Sequence, residues 1–333
     1  MKIPATVITG FLGAGKTTLI RHLLENANGR RIALIINEFG DMGFDRELLK
    51  SCGIEGCGED NMIELANGCI CCTVADDFLP TMENLLDRDL PPDHIVIETS
   101  GLALPKPLVK AFNWPEIRAR LTVDGVIAVI DSAAVAEGRF SDDVDIELVP
   151  DHDNPLEEVF EDQLLCADLV VMNKADILDG EAIKSVAQGL AGLMRPGVKA
   201  IPAVKGALDI DVVLGLSAAA EDGIEERQSH HDGEEDHDHD DFESFTVTLG
   251  DITDLGGFET RLAELTHAHD ILRLKGFLHV PGKDMRHVVQ GVGPRIQRYY
   301  DRPWGMDEER LGHLVVIGQR GLDRGAIEAA LLA

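Results

Sequence analysis

Three cysteines crowd into the segment ELANGCICC. Cys69, Cys71 and Cys72 are half of the six cysteines in a chain of 333 residues. Thiolates are good ligands for Zn²⁺, Co²⁺ and Cu⁺. Three sulfur atoms in one short loop seldom complete a tetrahedral site, and Glu38, in the earlier segment NEFGDMGFD, is the leading candidate for a further ligand. The spacing favours a metal site over two alternatives, a set of buried structural thiols and a redox relay.

A second segment, GFLGAGKT at residues 10–17, fits the pattern G-x-x-x-x-G-K-[ST] at every position, and we call it the phosphate loop. Its glycines let backbone N–H groups face a phosphate, and the helix predicted after it adds the positive end of its dipole. We expect Lys16 to reach the β- and γ-phosphates and the Thr17 hydroxyl to ligate Mg²⁺. The predicted nucleotide-binding residues here are Gly10, Gly13, Ala14, Gly15, Lys16, Thr17 and Thr18.

The segment HIVIETSG, residues 94–101, is an apolar run that ends in an acid, Glu98, with Gly101 three residues later. A carboxylate in this position can hold the water shell of a magnesium ion or help to orient the attacking water. We therefore predict Glu98 and Lys16 as catalytic residues and Gly101 as a nucleotide contact. The alternative is an ordinary acid at the end of a strand.

The segment LVVMNKAD, residues 169–176, predicts a buried strand followed by N-K-x-D. Asp176 can accept hydrogen bonds from the N1–H and N2 amine of guanine, Asn173 can bond the acceptor edge of the base, and the stem of Lys174 can cover the ring. Adenine has neither of the two donors, so Asp176 would be left unpaired beside it. The predicted nucleotide is therefore GTP.

Acidic residues outnumber basic ones, 60 to 30, which gives a formal net charge of −30. This balance argues against a surface for nucleic acid or anionic membrane, because phosphate groups are bound by clustered Lys and Arg. The chain has no apolar run of about 18 residues, and its start, MKIPATVITG, lacks the features of a signal peptide. We expect a cytoplasmic protein, and a structural disulfide is then a poor explanation of the cysteine cluster.

The elements that must position these residues alternate along the first two thirds of the chain. Apolar runs predict strands at 3–9, 31–37, 93–98, 123–130, 168–172 and 198–204, and periodic segments predict helices at 16–26, 75–87, 155–166 and 180–193. Near-continuous apolar runs are typical of strands that are buried on both faces. The predicted fold class is therefore α/β, with a mostly parallel sheet in a P-loop NTPase domain over residues 1–220.

Residues 221–243 carry twelve acidic residues and one basic residue without apolar periodicity, which predicts a disordered linker or a long loop. Four histidines, His230, His231, His237 and His239, fall within it. They are interpreted either as an accessory, flexible metal-collecting arm or as part of a solvated linker.

Residues 244–333 predict a smaller α+β domain. Strands are predicted at 244–249, 271–280, 285–290 and 313–318, and helices at 257–267 and 323–332. The basic, aromatic stretch RIQRYYDRPW at 295–304 suits either a partner surface or the edge of a sheet.

Five motifs, GFLGAGKTTL, INEFG, GCICC, ETSGLA and NKAD, occur in an order and spacing that resemble the CobW family of P-loop GTPases. That family is related to GTPases that assist nickel delivery to hydrogenase and urease. The resemblance covers essentially the whole chain and implies GTP hydrolysis and metal binding through the thiols of the CxCC motif. Residues 55–82 look most similar to the branch of the family associated with aerobic cobalamin biosynthesis. That branch implies Co²⁺ as the cargo and a cobaltochelatase, or another metal-acceptor protein, as the partner.

The placement of the thiols between two phosphate-contacting segments suggests a mechanism. We hypothesise that Mg-GTP orders residues 37–60 and the CxCC segment into a tight metal site, which loosens after hydrolysis. The coupling is reciprocal, and a hundredfold change in affinity corresponds to about 2.7 kcal/mol.

Three alternatives stay open. The cargo can be zinc, because Zn²⁺ outcompetes Co²⁺ at sulfur ligands. The protein can instead be a P-loop kinase or NTPase with a structural thiol cluster, or a passive metal buffer. The sequence leaves the oligomeric state open between a monomer and a dimer that depends on nucleotide or metal.

Overall fold

The structure is a computed structural model that describes residues 2–37, 62–65, 78–140, 155–230, 242–269, 271–292, 295–305, 308–319 and 321–332. These residues fall into two compact units, one containing the described residues up to 230 and the other those from 242 onward. In this part of the chain, no helix is long and apolar enough to cross a membrane.

The first unit is built on a seven-stranded sheet. Its strands are β1 (Ile3–Thr9), β2 (Ile32–Asn37), β3 (Met62–Leu65), β4 (His94–Glu98), β5 (Leu121–Asp131), β6 (Leu169–Asn173) and β7 (Lys199–Pro202). Their spatial order is β3-β2-β4-β1-β5-β6-β7, and every neighbouring pair is parallel. Helices cover both faces of such a sheet, which explains why its central strands are apolar throughout. The predicted parallel α/β architecture is confirmed.

The helices of this unit are α1 (Lys16–Glu25), α2 (Leu79–Leu86), α3 (Pro105–Ala111), α4 (Pro115–Arg118), α5 (Ser132–Ala136), α6 (Pro155–Cys166), α7 (Gly180–Ala191) and α8 (Ile210–Val213), with 3₁₀ turns at Ala175–Ile177 and Ile224–Glu226. The side chains of α2 and α3 pack on β1, β2 and β4 in one apolar core. Burial of these aliphatic side chains supplies most of the stabilisation of the unit.

The carboxyl ends of four strands meet at one edge of this sheet. Ile8, just before the end of β1, pairs with Glu98 at the end of β4, and Glu98 also pairs with Ile36 of β2. Asn37 of β2 pairs in turn with Leu65, the last residue of β3. Ligands of open parallel sheets bind outside this edge, so the fold gathers the predicted phosphate loop and Glu98 there.

The predicted linker begins too early. Residues 221–230 belong to the first unit: buried Glu221 accepts hydrogen bonds from Thr122 Oγ1 at 2.7 Å and Val123 N at 2.9 Å, and buried Arg227 donates to Asp168 Oδ1 at 2.8 Å. Charged residues are stable in an interior when each is paired, and a sequence pattern cannot reveal such long-range pairing. Residues 231–241 lie outside the described residues.

The second unit contains a five-stranded antiparallel sheet. Its strands are β8 (Phe242–Leu249), β9 (Ile271–Leu278), β10 (Met285–Val292), β11 (Arg295–Pro303) and β12 (Gly312–Gln319), in the order β11-β10-β9-β12-β8. Helices α9 (Leu255–Ala268) and α10 (Arg324–Leu332) pack on one face around an apolar core. The predicted α+β class is confirmed, and the basic, aromatic stretch is an edge strand.

Candidate nucleotide-binding site

The phosphate loop follows β1 and leads directly into α1. Gly15 has a φ of 102°, and a Cβ added to it would lie 2.2 Å from Asn173 Nδ2. Only glycine can therefore occupy this position, both because the backbone is left-handed and because the neighbouring strand end approaches so closely. The curled backbone that the sequence pattern requires is present.

Lys16 is the first residue of α1, and its side chain is buried. The ammonium Nζ donates to the carbonyl oxygens of Gly10 at 2.7 Å and Phe11 at 3.2 Å. These bonds fold the lysine side chain back over the loop. Its positive charge is therefore held next to the loop backbone that would bind a phosphate. Thr18 is exposed in the first turn of the same helix, and Gly13 is exposed in the loop.

Thr17 and Glu98 meet at the sheet edge. Thr17 Oγ1 donates to Glu98 Oε1 at 3.0 Å, and Glu98 is buried. A hydroxyl and a carboxylate are hard oxygen donors of the kind that Mg²⁺ prefers, and Mg²⁺ usually keeps several water ligands besides. The two residues therefore fit the magnesium role predicted for them, Thr17 as a ligand and Glu98 at the ion's water shell.

Asn173 joins the end of β6 to two loops. Its Nδ2 donates to the Ala14 carbonyl at 2.9 Å, and its Oδ1 accepts from Gly206 N at 2.9 Å. The amide therefore holds the phosphate loop in place, a role that the sequence did not indicate. Its predicted contact with the base stays a prediction.

The side chain of Lys174 is fixed by an ion pair, whereas that of Asp176 is exposed to solvent. Lys174 has a left-handed backbone with φ of 57°, and its Nζ is ion-paired with the buried carboxylate of Asp131. Asp131 is fixed in turn by accepting from Ala133 N at 3.1 Å. Asp176 lies in the following 3₁₀ turn and is exposed, as a group that is to bind an incoming base must be.

Two residues of the site were missed by sequence reasoning, Asp131 and Gln163. Asp131 ends β5, and the register pairs it with Asn173 at the same sheet edge. The sequence feature that indicates Asp131 is an acidic residue at the end of a long apolar strand. Gln163 lies in α6, where it is buried and donates to carbonyls of the chain just after Glu98. Its signal was an amide inside an apolar helical pattern.

Most of the predicted metal ligands lie outside the described residues. They are Glu38, Cys69, Cys71, Cys72, His231, His237 and His239. His230 is described, and its Nε2 lies 2.7 Å from Glu161 Oε2 while its backbone N donates to Asp162 Oδ1 at 2.9 Å. Across the described ranges, no three His, Cys, Asp or Glu side chains form a group that could hold a metal ion.

Family comparison agrees with this geometry. Residues 4–202 match the family model "CobW/HypB/UreG, nucleotide-binding domain", and residues 242–333 match the model "Cobalamin synthesis protein cobW C-terminal domain". The chain belongs to the CobW family. The first model covers most of the first unit and the second model covers the second unit, and the gap between them, residues 203–241, contains the His-rich segment.

Two relatives within the CobW family are similar along most of their length. The protein named "Zinc chaperone CobW" from a Sinorhizobium species is 56% identical, over 100% of this chain and 97% of the relative. The protein of the same name from Pseudomonas aeruginosa is 55% identical, over 98% of this chain and 90% of the relative. A crystal structure of Zn(II)-bound YjiA GTPase from E. coli is 26% identical, with a TM-score of 0.46, and covers 99% of this chain and 98% of that one.

Proposed function

We propose that this CobW-family protein is a GTP-hydrolysing metallochaperone whose cargo is Zn²⁺. The observation that carries the proposal is that the carboxyl ends of β1, β2, β3 and β4 lie at the same edge of the sheet. The phosphate loop, Glu98 and the last residues of β2 and β3 lie along one sheet edge, and β2 and β3 lead into the segments with the predicted metal ligands. Loss of the γ-phosphate can therefore change the conformation of the segments after β2 and β3, which contain the predicted metal ligands.

The nucleotide proposed is GTP. Asp176 is exposed beside Lys174, which Asp131 holds by an ion pair, and this arrangement supports recognition of the N1–H and N2 amine of guanine. The phosphate loop, with Lys16 folded over it, supports binding of the phosphates.

The residues proposed for hydrolysis are Lys16 and Glu98. Thr17 is the expected protein ligand of a Mg²⁺ ion, which would neutralise negative charge that develops on the phosphate during hydrolysis. Lys16 stabilises the same charge with its ammonium group. Glu98, buried at the end of β4, orients the attacking water or the water shell of the ion.

Metal release is proposed to follow hydrolysis. Glu38 comes directly after β2, and Cys69 follows shortly after β3, whose last residue pairs with Asn37. If contacts to the γ-phosphate hold both segments in place, losing that phosphate weakens the ligand set of Cys69, Cys71, Cys72 and Glu38. The ion then passes to an acceptor protein, which we expect to meet this protein in the cytoplasm.

Zinc is proposed as the cargo for two reasons. The two full-length relatives are named zinc chaperones, and Zn²⁺ binds sulfur ligands more tightly than Co²⁺ does. Cobalt for a cobaltochelatase is the second candidate. The match of the second unit to a domain named for cobalamin synthesis favours it.

The test is a competition titration. Zn²⁺ and Co²⁺ are titrated into the full chain with Mg²⁺ and either a non-hydrolysable GTP analogue or GDP. We expect the analogue to raise metal affinity about 100-fold, which is about 2.7 kcal/mol of coupling. Tighter binding of Zn²⁺ than of Co²⁺ in the analogue state supports zinc. Equal affinity with both nucleotides contradicts the chaperone and points to a passive buffer.

Two variants control this titration. Cys71→Ser removes a predicted ligand and should abolish the nucleotide-dependent component. Cys166→Ala removes a thiol that is buried in α6, where a metal ion cannot reach it, and burial also raises its pKa to about 11. This second variant should bind metal as the unchanged chain does.

A further inference from the structure

Gln163 makes two hydrogen bonds that no sequence motif accounts for. It lies in α6, is only 1% exposed, and its Nε2 donates to the carbonyl oxygens of Gly101 at 3.1 Å and Ala103 at 3.2 Å. Both carbonyls belong to residues 99–104, which directly follow Glu98 and which we call the Glu98 loop. A helix on a different part of the chain thus holds this loop through one side chain.

The chemistry of the amide fixes its orientation. Only the NH₂ end of glutamine can face two carbonyl oxygens, because the other end is itself an acceptor. Its Oε1 has no hydrogen-bond partner among the residues that the structure describes. A buried, unpaired acceptor lowers stability, and an apolar side chain of equal size would avoid that loss. Packing of the core alone therefore does not explain why a glutamine occupies this position.

The Glu98 loop lies directly against the phosphate loop. A Cβ added to Gly101 would come within 2.8 Å of the backbone N of Leu12. At the start of the same loop, Thr99 N donates to Ile8 O at 2.9 Å and Thr99 Oγ1 to Thr9 Oγ1 at 3.0 Å. The Glu98 loop therefore packs on the phosphate loop at Gly101 and on the end of β1 at Thr99.

Helix α6 also reaches the phosphate loop indirectly, through the ring of Phe140. Phe160, one turn before Gln163, packs on Phe140 with ring centroids 5.0 Å apart, and Phe140 packs on Phe11 of the phosphate loop at 6.1 Å. All three rings are buried. Closely packed side chains are nearly incompressible, so a shift of Phe160 is passed on to Phe140 and Phe11. One helix thus bonds to the Glu98 loop directly and packs on the phosphate loop through Phe140.

We propose that Gln163 is a positioning residue for GTP hydrolysis. Its NH₂ group ties the Glu98 loop to α6 and so sets the distance from the Glu98 carboxylate to the nucleotide. Gln163 itself touches neither the nucleotide nor the ion. The inference rests on the proposed GTP hydrolysis and names a residue that controls its rate.

The experiment measures GTP hydrolysis by the full chain and by two variants. Gln163→Met keeps the length and unbranched shape of the side chain but loses both donors, and Gln163→Glu keeps the shape and replaces the NH₂ with an acceptor. We expect kcat to fall at least about 10-fold in both, with KM for GTP within about twofold, since displacement of a catalytic group slows the reaction more than it weakens binding. Gln188→Met, the same change at an exposed position of α7, is the matched control and should match the unchanged chain.

The outcomes separate this inference from the proposed function. Hydrolysis by the unchanged chain, with unaltered kcat in both Gln163 variants, overturns the positioning role alone. No hydrolysis by the unchanged chain overturns the proposed function and this inference with it. A fall in kcat accompanied by equal losses of nucleotide binding and thermal stability in both variants would make Gln163 a structural residue and overturn the proposal.

Discussion

The hydroxyl of Thr17 donates a 3.0 Å hydrogen bond to the carboxylate of Glu98. The two residues are far apart in the sequence, and they meet because Ile8, near the end of β1, pairs with Glu98 at the end of β4. Parallel pairing of these strands puts the phosphate loop and the acid at one edge of the sheet. The predicted magnesium ligand and the predicted catalytic acid therefore share one hydrogen bond, which makes the function of each depend on the other.

Replacing Glu98 with glutamine tests its catalytic role. The variant keeps the shape of the side chain and can still accept from Thr17, but it loses the negative charge. We expect kcat for phosphate release to fall about 100-fold, the usual effect of removing a residue that positions or deprotonates a nucleophile, while GTP still binds. Glu116→Gln, an exposed acid on α4, is the matched control. An unchanged kcat in Glu98→Gln would exclude the carboxylate from the hydrolysis step.

Replacing Gly15 with alanine tests the geometry of the phosphate loop. The new methyl group would lie 2.2 Å from Asn173 Nδ2, so the loop or the asparagine must shift. Losing one N–H bond to a phosphate costs about 2 kcal/mol, so we expect GDP affinity to fall about 30-fold in a fluorescence titration.

Gly29→Ala is the matched control for this substitution. Gly29 also has a positive φ, 80°, but nothing lies within 4 Å of an added Cβ. Its variant should lose about 1 kcal/mol of stability from backbone strain and keep its affinity for GDP. If both variants lose affinity equally, strain rather than the contact with Asn173 explains the effect.

Much of the fold could be predicted because it depends on local patterns. Strands buried on both faces, such as β1 and β4, are apolar at most positions, and their short length and β-branched residues separate them from the longer helices. The strand β3, Met62–Leu65, was missed because a four-residue run at a sheet edge carries too little pattern. Of the two predicted catalytic residues, Glu98 ends the strand β4 and Lys16 begins the helix that follows β1 and the phosphate loop, so these patterns locate both.

The parts that could not be predicted depend on pairing between distant residues. Asn173 belongs to a recognisable string, but its bond to Ala14 joins residues 159 positions apart. Arg227 lies in a charged stretch that looks solvated, yet it is buried against Asp168, 59 positions away. Whether a polar residue is exposed or paired is decided by the assembled fold, so composition alone misassigned residues 221–230.

Replacing Asp176 with asparagine tests the choice of base. The carboxylate can accept from both the N1–H and the N2 amine of guanine, whereas an asparagine offers one acceptor and one donor. Xanthine has a carbonyl oxygen where guanine has its amine, so it matches the variant better. We expect the variant to hydrolyse XTP in preference to GTP, with discrimination changed at least about 100-fold in kcat/KM. Unchanged preference for GTP would show that Asp176 does not contact the base.

His94 gives the first unit a defined dependence of stability on pH. Its Nε2 lies 2.8 Å from Thr6 Oγ1 inside the sheet, and burial lowers its pKa from 6.5 to about 4, although the Asp124 carboxylate opposes the shift. Below pH 6.5 the unfolded chain takes up a proton that the folded chain refuses until about pH 4. Protonation therefore favours unfolding in this window, and stability falls as the pH drops through it.

Urea unfolding at pH 7 and pH 5 measures this effect in the first unit. Trp304→Phe leaves Trp114 as the one tryptophan, so its fluorescence follows the first unit alone. In that background we expect His94→Gln, which cannot titrate, to lose about 2 kcal/mol less than the chain with His94 between the two pH values. His313→Gln, in the second unit, should leave the loss unchanged. Equal losses with and without His94 would mean that its imidazole titrates alike in the folded and unfolded chains, and that burial in the sheet does not exclude its charge.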